Sequence, residues 1–521
     1  MTGNGNFYIT TAIPYVNAAP HLGHALELVQ ADVLARHRRL RGQGVRFLTG
    51  TDDNALKNVT AAHAAGVPTG EFVASNAARF YGLREPLALS FDDFIKTSAD
   101  PRHRPGVERL WRQCASRGDF YRRRYCGLYC AGCEQFYPPE ELADGLCPEH
   151  RVAPEPVTEQ NWFFRLSRYT GGLLDALGSG RIRIEPGTRR NEVLAFARAG
   201  LHDISVSRPA SRAHGWGIPV PGDPGQIIYV WWDALANYVT ALGYGGADEQ
   251  PYRDWWVNSS ERVHVVGKGI TRFHAVYWLA LLLAAGQPLP TAIYVHEYLS
   301  VNGAKLSKSA GNAVSPAELT ARFGADAVRW WLLREVARHG DTNFTVERLV
   351  SRANSDLANG LGNLVHRTLT LVHTHHHGQF TTPSGQTAQG TELVTGCQAL
   401  PHRIDQALAR FDFRAATDAI WSVVQAGNRL AETERPWELA RRAERGDHAA
   451  STRLDKVLSI LTGACRVLAA ELGPFLPTGA AALGSQLHAA HGAIAPPVPV
   501  FTRLRGHTPG PAAGQRPTLV R

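Results

Sequence analysis

Two short polar motifs, far apart in the chain, place the strongest constraint on how it can fold. The first is His21-Leu22-Gly23-His24 and the second is Lys305-Leu306-Ser307-Lys308-Ser309. The chain contains only six lysines against 49 arginines, yet two of the six fall within the second motif. Lysine provides a compact, mobile point charge rather than a planar fork, which suits a polyphosphate whose charge moves during a reaction. We therefore interpret the motifs as two halves of one ATP site that the fold has to bring together.

The residues around the first motif have the pattern of a parallel α/β domain. An apolar strand is predicted at 7–12, a helix from His21 to Arg39, and a second strand at 45–49. Later strands are predicted at 227–231, 262–266 and 292–296. An open parallel sheet binds its ligand at the carboxyl ends of its strands, so both motifs are expected there. The P-loop and dinucleotide glycine fingerprints are absent from the sequence, which removes the main support for two other nucleotide-binding interpretations.

Composition limits the class of protein. No apolar run approaches the length of a membrane span, and the N-terminus lacks the pattern of a signal peptide, so we expect a cytoplasmic protein without membrane contact. A net charge of +9 favours a polyanionic partner. Seven cysteines in 521 residues are too few for a disulfide framework. We expect a monomer.

Four residues have the spacing of a structural zinc site. Cys130-Ala131-Gly132-Cys133 and Cys147-Pro148-Glu149-His150 form two knuckles that supply three thiolates and one imidazole. Cys126 is close by but does not fit this spacing. The predicted ligands of Zn²⁺ are therefore Cys130, Cys133, Cys147 and His150, which fill a closed tetrahedral site.

The motifs, together with 10–17 and Gly50-Thr51-Asp52, resemble those of methionyl-tRNA synthetases, which are class I aminoacyl-tRNA synthetases. The resemblance extends from about residue 7 to about residue 503. It implies a Rossmann-like parallel-sheet catalytic domain with a zinc-bearing insertion, followed by an α-helical bundle. It also implies activation of methionine with ATP and Mg²⁺, and transfer of the methionyl group to a methionine-type tRNA. The predicted domains are 1–117 (first half of the catalytic domain), 118–225 (insertion), 226–300 (second half), 301–345 (lysine-loop linking region), 346–503 (anticodon-binding bundle) and 504–521 (disordered tail).

The resemblance also assigns site residues. It places ATP at His21, Gly23, His24, Lys305, Ser307 and Lys308, with both histidines and both lysines acting in catalysis. It places the amino acid at Ile13, Tyr15, Asp52, Trp231, Ala234, Leu235, Tyr238, Ile270, His274 and Trp278. It places the anticodon at Asn363, Arg367 and Trp437.

Four departures from the family pattern surround the predicted site. Asp53-Asn54-Ala55 stands where the family has Glu-His-Gly, and Gly269 stands where it has an aspartate expected near the ribose or the substrate amine. Glu297 replaces a glycine that approaches the adenine, and Leu279 replaces a proline.

These departures leave three hypotheses open. The first is a methionyl-tRNA synthetase, which the predicted anticodon residues favour. The second is a diverged enzyme that activates an amino acid for a small-molecule acceptor in a natural-product pathway, which Asn54, Gly269 and Glu297 favour. The third is a non-catalytic RNA-binding protein, which the intact histidine and lysine motifs disfavour.

Overall fold

The computed structural model describes residues 5–148, 151–301, 303–305, 314–380, 390–488 and 493–505. The predicted residues His150, Ser307 and Lys308 lie outside the described residues, as does most of the predicted tail at 504–521. For Lys305 only the backbone is described.

The N-terminal part alternates strands and helices as the sequence predicts. In chain order it contains β1 (Phe7–Thr11), α1 (Leu22–Leu40), β2 (Val45–Thr51), α2 (Leu56–Ala64), α3 (Thr69–Tyr81), β3 (Asp93–Lys96) and α4 (His103–Ser116). The predicted helix near the first motif is confirmed as α1, which begins directly after His21.

The middle of the chain consists of shorter elements. They are β4 (Phe120–Cys130), β5 (Gln135–Tyr137), β6 (Glu155–Phe164), α5 (Thr170–Gly178), β7 (Arg183–Glu185), α6 (Gly187–Arg198), β8 (Ile204–Ser205), β9 (Ser207–Pro209), β10 (Pro219–Val220) and β11 (Asp223–Ile228). Strands β5, β4, β6 and β8 form an antiparallel sheet that carries the cysteine knuckles. Strands β10, β11 and β9 form a second, smaller antiparallel sheet.

The α/β pattern then resumes and passes into helices. The next elements are α7 (Val230–Thr240), α8 (Gln250–Tyr252), β12 (Glu261–Gly267), α9 (Trp278–Ala285), β13 (Ala292–His296), β14 (Leu299–Val301), β15 (Ala304–Lys305), α10 (Pro316–Phe323), α11 (Ala325–Arg334) and β16 (Thr342–Asn343). The C-terminal helices are α12 (Val346–Arg352), α13 (Asn363–His375), α14 (Thr391–Ala409), α15 (Phe413–Glu434), α16 (Pro436–Glu444), α17 (His448–Glu471) and α18 (Pro477–Leu487).

The central sheet has six parallel strands in the order β3-β2-β1-β12-β13-β7. Because β1 lies beside β12, the chain leaves this sheet and returns to its middle. All of these strands present their carboxyl ends to the same edge, which is where an open sheet binds ligands. The Rossmann-like class followed by a helical bundle is therefore confirmed.

Two details differ from the sequence prediction. The predicted strand at 227–231 is wrong: β11 ends at Ile228 and belongs to the small antiparallel sheet, and α7 begins at Val230. Apolar residues from Trp231 onward recur at helical spacing, so their burial favours a helix. Strand β7, inside the predicted insertion, pairs with β13 and forms one edge of the central sheet.

A buried ion pair joins the first helix of the sheet to the helical region. Arg329 of α11 lies 2.8 Å from the carboxylate of Asp32 in α1, and both side chains are fully buried. The same guanidinium donates to the backbone carbonyls of Leu87, Pro474 and Phe475. A buried arginine needs this many acceptors because each unpaired N–H would lose its hydration without replacement.

None of the helices in the described part of the chain has the length and apolar character needed to cross a bilayer.

We expect Arg329→Met to lower the free energy of unfolding by about 3–5 kcal/mol, because it removes the fully buried cation beside Asp32 and leaves the carbonyls of Leu87, Pro474 and Phe475 without their donor. Urea denaturation followed by circular dichroism measures this change. Arg36→Met is the matched control: Arg36 pairs with the same carboxylate at 2.7 Å but is partly exposed, so the expected loss is about 1 kcal/mol. Equal losses in the two variants would contradict the assigned role of Arg329.

Candidate active site

A cavity of about 620 Å³ opens at the carboxyl ends of the central strands. The segments that follow β1, β2, β12 and β13 form most of its wall. The first turn of α1 and the first cysteine knuckle form two further sides. Its volume is within the usual range for small-molecule sites.

The first motif forms the N-terminus of α1. His21 caps the helix, since its Nδ1 accepts from the backbone N–H of Gly23 at 3.1 Å, and Nδ1 of His24 accepts from the backbone N–H of His21 at 3.0 Å. The two rings stack with centroids 3.8 Å apart. A Cβ at position 23 would lie 2.9 Å from the His21 ring, so glycine is what allows this stacking. The result is a helix N-terminus facing the cavity, which favours phosphate.

The second motif begins beside the same cavity. The backbone of Lys305 pairs with Ser300 in an antiparallel turn between β14 and β15. Strand β14 starts at Leu299, which lines the cavity. The chain enters the lysine motif next to the wall formed after β13.

The structure brings the predicted amino-acid residues together, with one exception. Trp278 is fully buried and does not appear among the described lining residues; it supports the wall from behind. The predicted residues that line the cavity are Ile13, Tyr15, Asp52, Trp231, Ala234, Leu235, Tyr238, Ile270 and His274.

Three buried polar atoms in the predicted amino-acid cleft have no hydrogen-bond partner among the described residues. They are the Tyr15 hydroxyl, Oδ1 of Asp52 and Nε1 of Trp231. Tyr15 and Asp52 pair across their backbones, and the Tyr15 ring contacts the Trp231 ring edge to face at 6.0 Å. Buried polar groups are normally satisfied, so three unpaired atoms in one cleft indicate a place for a polar ligand.

The electrostatics of this cleft favour a cation. Burial raises the pKa of Asp52 well above its ordinary value, and the nearby carboxylates of Asp233, Asp53 and Glu134 raise it further. A bound ammonium group would reverse this effect by stabilising the ionised form. The cleft is therefore suited to an amino group.

The departure at Asn54 keeps a hydrogen bond to its neighbour. Its Nδ2 donates to Oδ2 of Asp233 at 2.7 Å, and the other oxygen of Asp233 lies 2.5 Å from Nε2 of His103. His103 is in turn paired with Thr240 at 2.8 Å. An uncharged amide thus occupies the position where the family has an imidazole, and Asp233 retains a donor.

Two buried, neutral histidines lie at the back of the cavity: His274 lines it, and His264 lies behind the lining residues. Burial lowers the pKa of His264 well below its ordinary value and lowers that of His274 to about 4. Nε2 of His264 accepts from Nε1 of Trp278 at 3.1 Å, so its Nδ1–H donates to Thr10 at 2.7 Å. Nδ1–H of His274 donates to a backbone carbonyl at 3.0 Å, so its Nε2 accepts from the Tyr238 hydroxyl at 2.6 Å. Sequence reasoning missed His264, which lies inside β12 and had no motif to mark it.

The other departures lie in the cavity wall or in the core. Gly269 and Glu297 both line the cavity, and His296, next to Glu297, pairs at 2.9 Å with Glu27 of α1. Leu279 is fully buried in α9, where it packs in the core. Unlike proline, leucine has a backbone N–H that can donate a hydrogen bond within the helix.

Three cysteines form a metal-type cluster. The sulfur atoms of Cys130, Cys133 and Cys147 all lie within 4.8 Å of one another. Cys126 is exposed and is not part of the cluster. Three thiols at this separation fit three corners of a tetrahedral zinc site, and the predicted fourth ligand, His150, lies outside the described residues.

The cysteine knuckle is tied to the cavity by Lys57, which sequence reasoning also missed. Its ammonium group donates to the carbonyl of Gly132 at 2.8 Å and lies 4.6 Å from the centre of the Tyr15 ring. Its backbone N–H donates to Glu134 at 2.7 Å. The knuckle therefore supports one of the aromatic walls.

The predicted anticodon residues lie in the helical bundle, away from this cavity. Asn363 and Arg367 are one turn apart on α13, and Trp437 is in the first turn of α16. Helices α13 and α16 are in contact. Arg367 is exposed, and Asn363 and Trp437 are half-buried.

We expect the protein to lose stability as the pH falls from about 6.5 towards 4, because the unfolded chain then binds protons that buried His274 does not. The folded pKa of about 4 lies below the ordinary value of 6.5, which corresponds to about 3 kcal/mol across this window. Urea denaturation at several pH values measures the slope. His274→Gln should reduce the slope without abolishing it, since buried His264 contributes in the same direction, and His448→Gln at an exposed position is the control. An unchanged slope in His274→Gln would contradict the neutral assignment.

Comparisons with known proteins agree with this geometry. The family model described as "tRNA synthetases class I (M)" matches residues 7–155 and 150–369. The methionine–tRNA ligase of Caldanaerobacter subterraneus is 40% identical over 471 residues, covering 90% of this chain and 72% of the relative. That of Mycobacterium leprae is 40% identical over 487 residues, covering 91% of this chain and 88% of the relative. The structure of Mycobacterium tuberculosis methionyl-tRNA synthetase in complex with methionyl-adenylate has a TM-score of 0.91 at 38% identity, covering 96% of this chain and 100% of the other. The chain therefore belongs to the methionyl-tRNA synthetase family of class I aminoacyl-tRNA synthetases.

Proposed function

We propose that this enzyme is an ATP-dependent ligase that activates methionine as methionyl-adenylate and then transfers the methionyl group to tRNA. The observation that carries the proposal is one cavity with two chemically different ends. A helix N-terminus capped by His21 and His24 lies at one end, and an aromatic cleft with Asp52, whose Oδ1 has no hydrogen-bond partner among the described residues, lies at the other. Relatives of this chain at 40% identity are methionine–tRNA ligases.

The first step joins the two ends. A carboxylate oxygen of methionine attacks the α-phosphorus of ATP, and the bond from that phosphorus to the bridging oxygen breaks, so pyrophosphate leaves with the electron pair. The protein supplies position and charge rather than a covalent nucleophile. The N-terminus of α1 with His21 and His24 stabilises the phosphates, and we assign the same task to Lys305, Ser307 and Lys308.

The amino-acid end suits methionine. Asp52 and the Tyr15 hydroxyl would hold the ammonium group, while Trp231, Tyr238 and Leu235 enclose the side chain. A thioether is flexible and polarizable, so it is selected by aromatic contacts rather than by charge. The neutral His274 keeps the back wall uncharged, which disfavours acidic side chains.

The second step transfers the methionyl group to a hydroxyl at the end of tRNA. A net charge of +9 favours RNA binding, and Asn363, Arg367 and Trp437 would read the anticodon, with the indole as a stacking platform.

A small-molecule acceptor is less well supported, because Asn54 still donates to Asp233 and Leu279 only fills the core. We propose that the enzyme is a monomer. We propose that it acts in the cytoplasm, where its RNA substrate is found.

Two metals are part of the proposal. The cysteine cluster fits a zinc ion held by Cys130, Cys133, Cys147 and His150. With four protein ligands this zinc is structural, and it would hold the knuckle that supports Lys57 and Tyr15. Mg²⁺ would accompany the phosphates of ATP and neutralise part of their charge.

ATP–pyrophosphate exchange tests the activation step. Methionine should be the best substrate among the twenty standard amino acids, and Lys308→Ala should abolish most exchange while leaving methionine binding intact, because the lysine stabilises charge that develops in the transition state. Lys456→Ala, in the helical bundle, is the matched control and should exchange normally. Preference for another amino acid, or normal exchange in Lys308→Ala, would argue against this mechanism.

Metal analysis tests the zinc site. The purified protein should contain one zinc per chain, and Cys147→Ser should lose it because a closed site needs all four ligands. Cys126→Ser removes a neighbouring cysteine that lies outside the cluster and should retain the metal. Zinc content is measured by elemental analysis after dialysis. Absence of zinc from protein prepared without chelator would refute the site.

A further inference from the structure

Glu297 is a buried carboxylate in the cavity wall, and its neighbour His296 pairs at 2.9 Å with Glu27 of α1, one turn after His24. Glu297 directly follows β13 at the carboxyl edge of the central sheet, lines the cavity and is only 4% exposed. Gly267 ends the neighbouring strand β12, and Gly269 follows it. Both glycines line the cavity, as Glu297 does. The absence of side chains at these two glycines leaves room for a ligand to approach the carboxylate.

Two cations hold the carboxylate in place. Arg189 of α6 donates from Nη2 to Oε1 at 2.6 Å, and Nζ of Lys268 lies 3.3 Å from Oε2. A buried charge is tolerated when it is paired and hydrogen-bonded, so these partners explain how Glu297 can be accommodated here. They also offset its charge and limit its repulsion of the phosphates of a bound nucleotide.

The pairing leaves acceptor capacity on Glu297. A carboxylate has about four lone-pair sites, and the two cations occupy one on each oxygen. The phosphates of ATP only accept hydrogen bonds at neutral pH. The donors that ATP can offer to Glu297 are therefore the two ribose hydroxyls and the amino group of adenine.

We propose that Glu297 binds the ribose of ATP by accepting hydrogen bonds from its 2′- and 3′-hydroxyls. An acidic side chain at the end of a strand next to a nucleotide site is well placed to bind a ribose diol. Glu297 follows β13, and the strand beside it, β12, is followed by Gly269. Position 269 is the one at which glycine has replaced the family's aspartate. The inference rests on the proposed function only in taking ATP as the nucleotide.

Equilibrium binding of nucleotides without amino acid tests the assignment. The probes are ATP, 2′-deoxy-ATP, 3′-deoxy-ATP and purine riboside triphosphate, which lacks the amino group. The unmodified protein should bind each deoxy analogue about ten- to a hundredfold more weakly than ATP, as expected for loss of hydrogen bonds to a charged group. It should bind purine riboside triphosphate with nearly the affinity for ATP.

Two substitutions at the same position make the test specific. Glu297→Met removes both acceptors at similar volume and should bind ATP and the deoxy analogues almost equally. Glu297→Gln keeps one acceptor and should discriminate to an intermediate extent, so it carries the test if the methionine variant does not fold. Thermal melting of each variant separates loss of discrimination from loss of structure.

Matched controls disturb the same cations without replacing a residue that lines the cavity. Glu192→Gln removes the exposed second carboxylate partner of Arg189, and Asp341→Asn removes the second partner of Lys268. Both should retain full discrimination. If they lose it as Glu297→Met does, the effect belongs to the cations and the proposal is wrong.

The remaining outcomes are also decisive. Undiminished discrimination in both Glu297 variants would show that the carboxylate only pairs with its cations. Discrimination against purine riboside triphosphate alone would assign Glu297 to the adenine amino group and overturn the ribose assignment. Failure of methionine as a substrate would leave these nucleotide affinities unaffected, whereas failure of the unmodified protein to bind ATP would overturn both this inference and the proposed function.

Discussion

The position of α1 is the constraint on which the rest of the structure depends. Its N-terminus faces the cavity, its middle is held by the buried pair between Asp32 and Arg329, and its end is bonded to the helical bundle. There His37 and Arg41 both contact Asp405 of α14, and Arg41 also contacts Glu471 of α17. One helix therefore ties the sheet, the phosphate end of the cavity and the bundle into a single arrangement. A helix of this length spans about 28 Å, so one end reaches the cavity while the other reaches the bundle.

The cavity joins two regions of opposite electrostatic preference. Acidic side chains crowd the amino-acid end around Asp52, and the helix N-terminus dominates the nucleotide end. A zwitterionic amino acid bound between them would direct its ammonium group to the first and its carboxylate towards the second. This orientation is the one that attack on the α-phosphorus requires. The aromatic cleft and the neutral histidines then affect only which side chain fits.

The sequence predicted features with local signals and missed those that depend on distant pairing. Strand 292–296 is found with those bounds, and the helix after His21 begins one residue later. The prediction of a strand at 227–231 was wrong because a run of only five apolar residues is too short for its periodicity to distinguish a strand from the start of a helix. Three-residue strand β7 has no pattern of its own, since pairing with β13 stabilises it. Likewise the contacts of Lys57 with the knuckle, and of Glu297 with Arg189, join residues that no motif connects.

The placement of Lys57 and Lys268 has a consequence for chemical labelling. Lys57 lines the cavity, Lys268 pairs with Glu297 at its edge, and Lys305 and Lys308 belong to the second motif; of the other two lysines, Lys96 ends β3 and Lys456 lies in α17. An amine-selective acylating reagent, or an activated acyl group released at the cavity, therefore meets few lysines, and Lys57 and Lys268 are the two whose described side chains lie in the cavity wall or at its edge. Arginine, whose guanidinium stays protonated, covers the remaining surface with positive charge that such reagents leave unmodified.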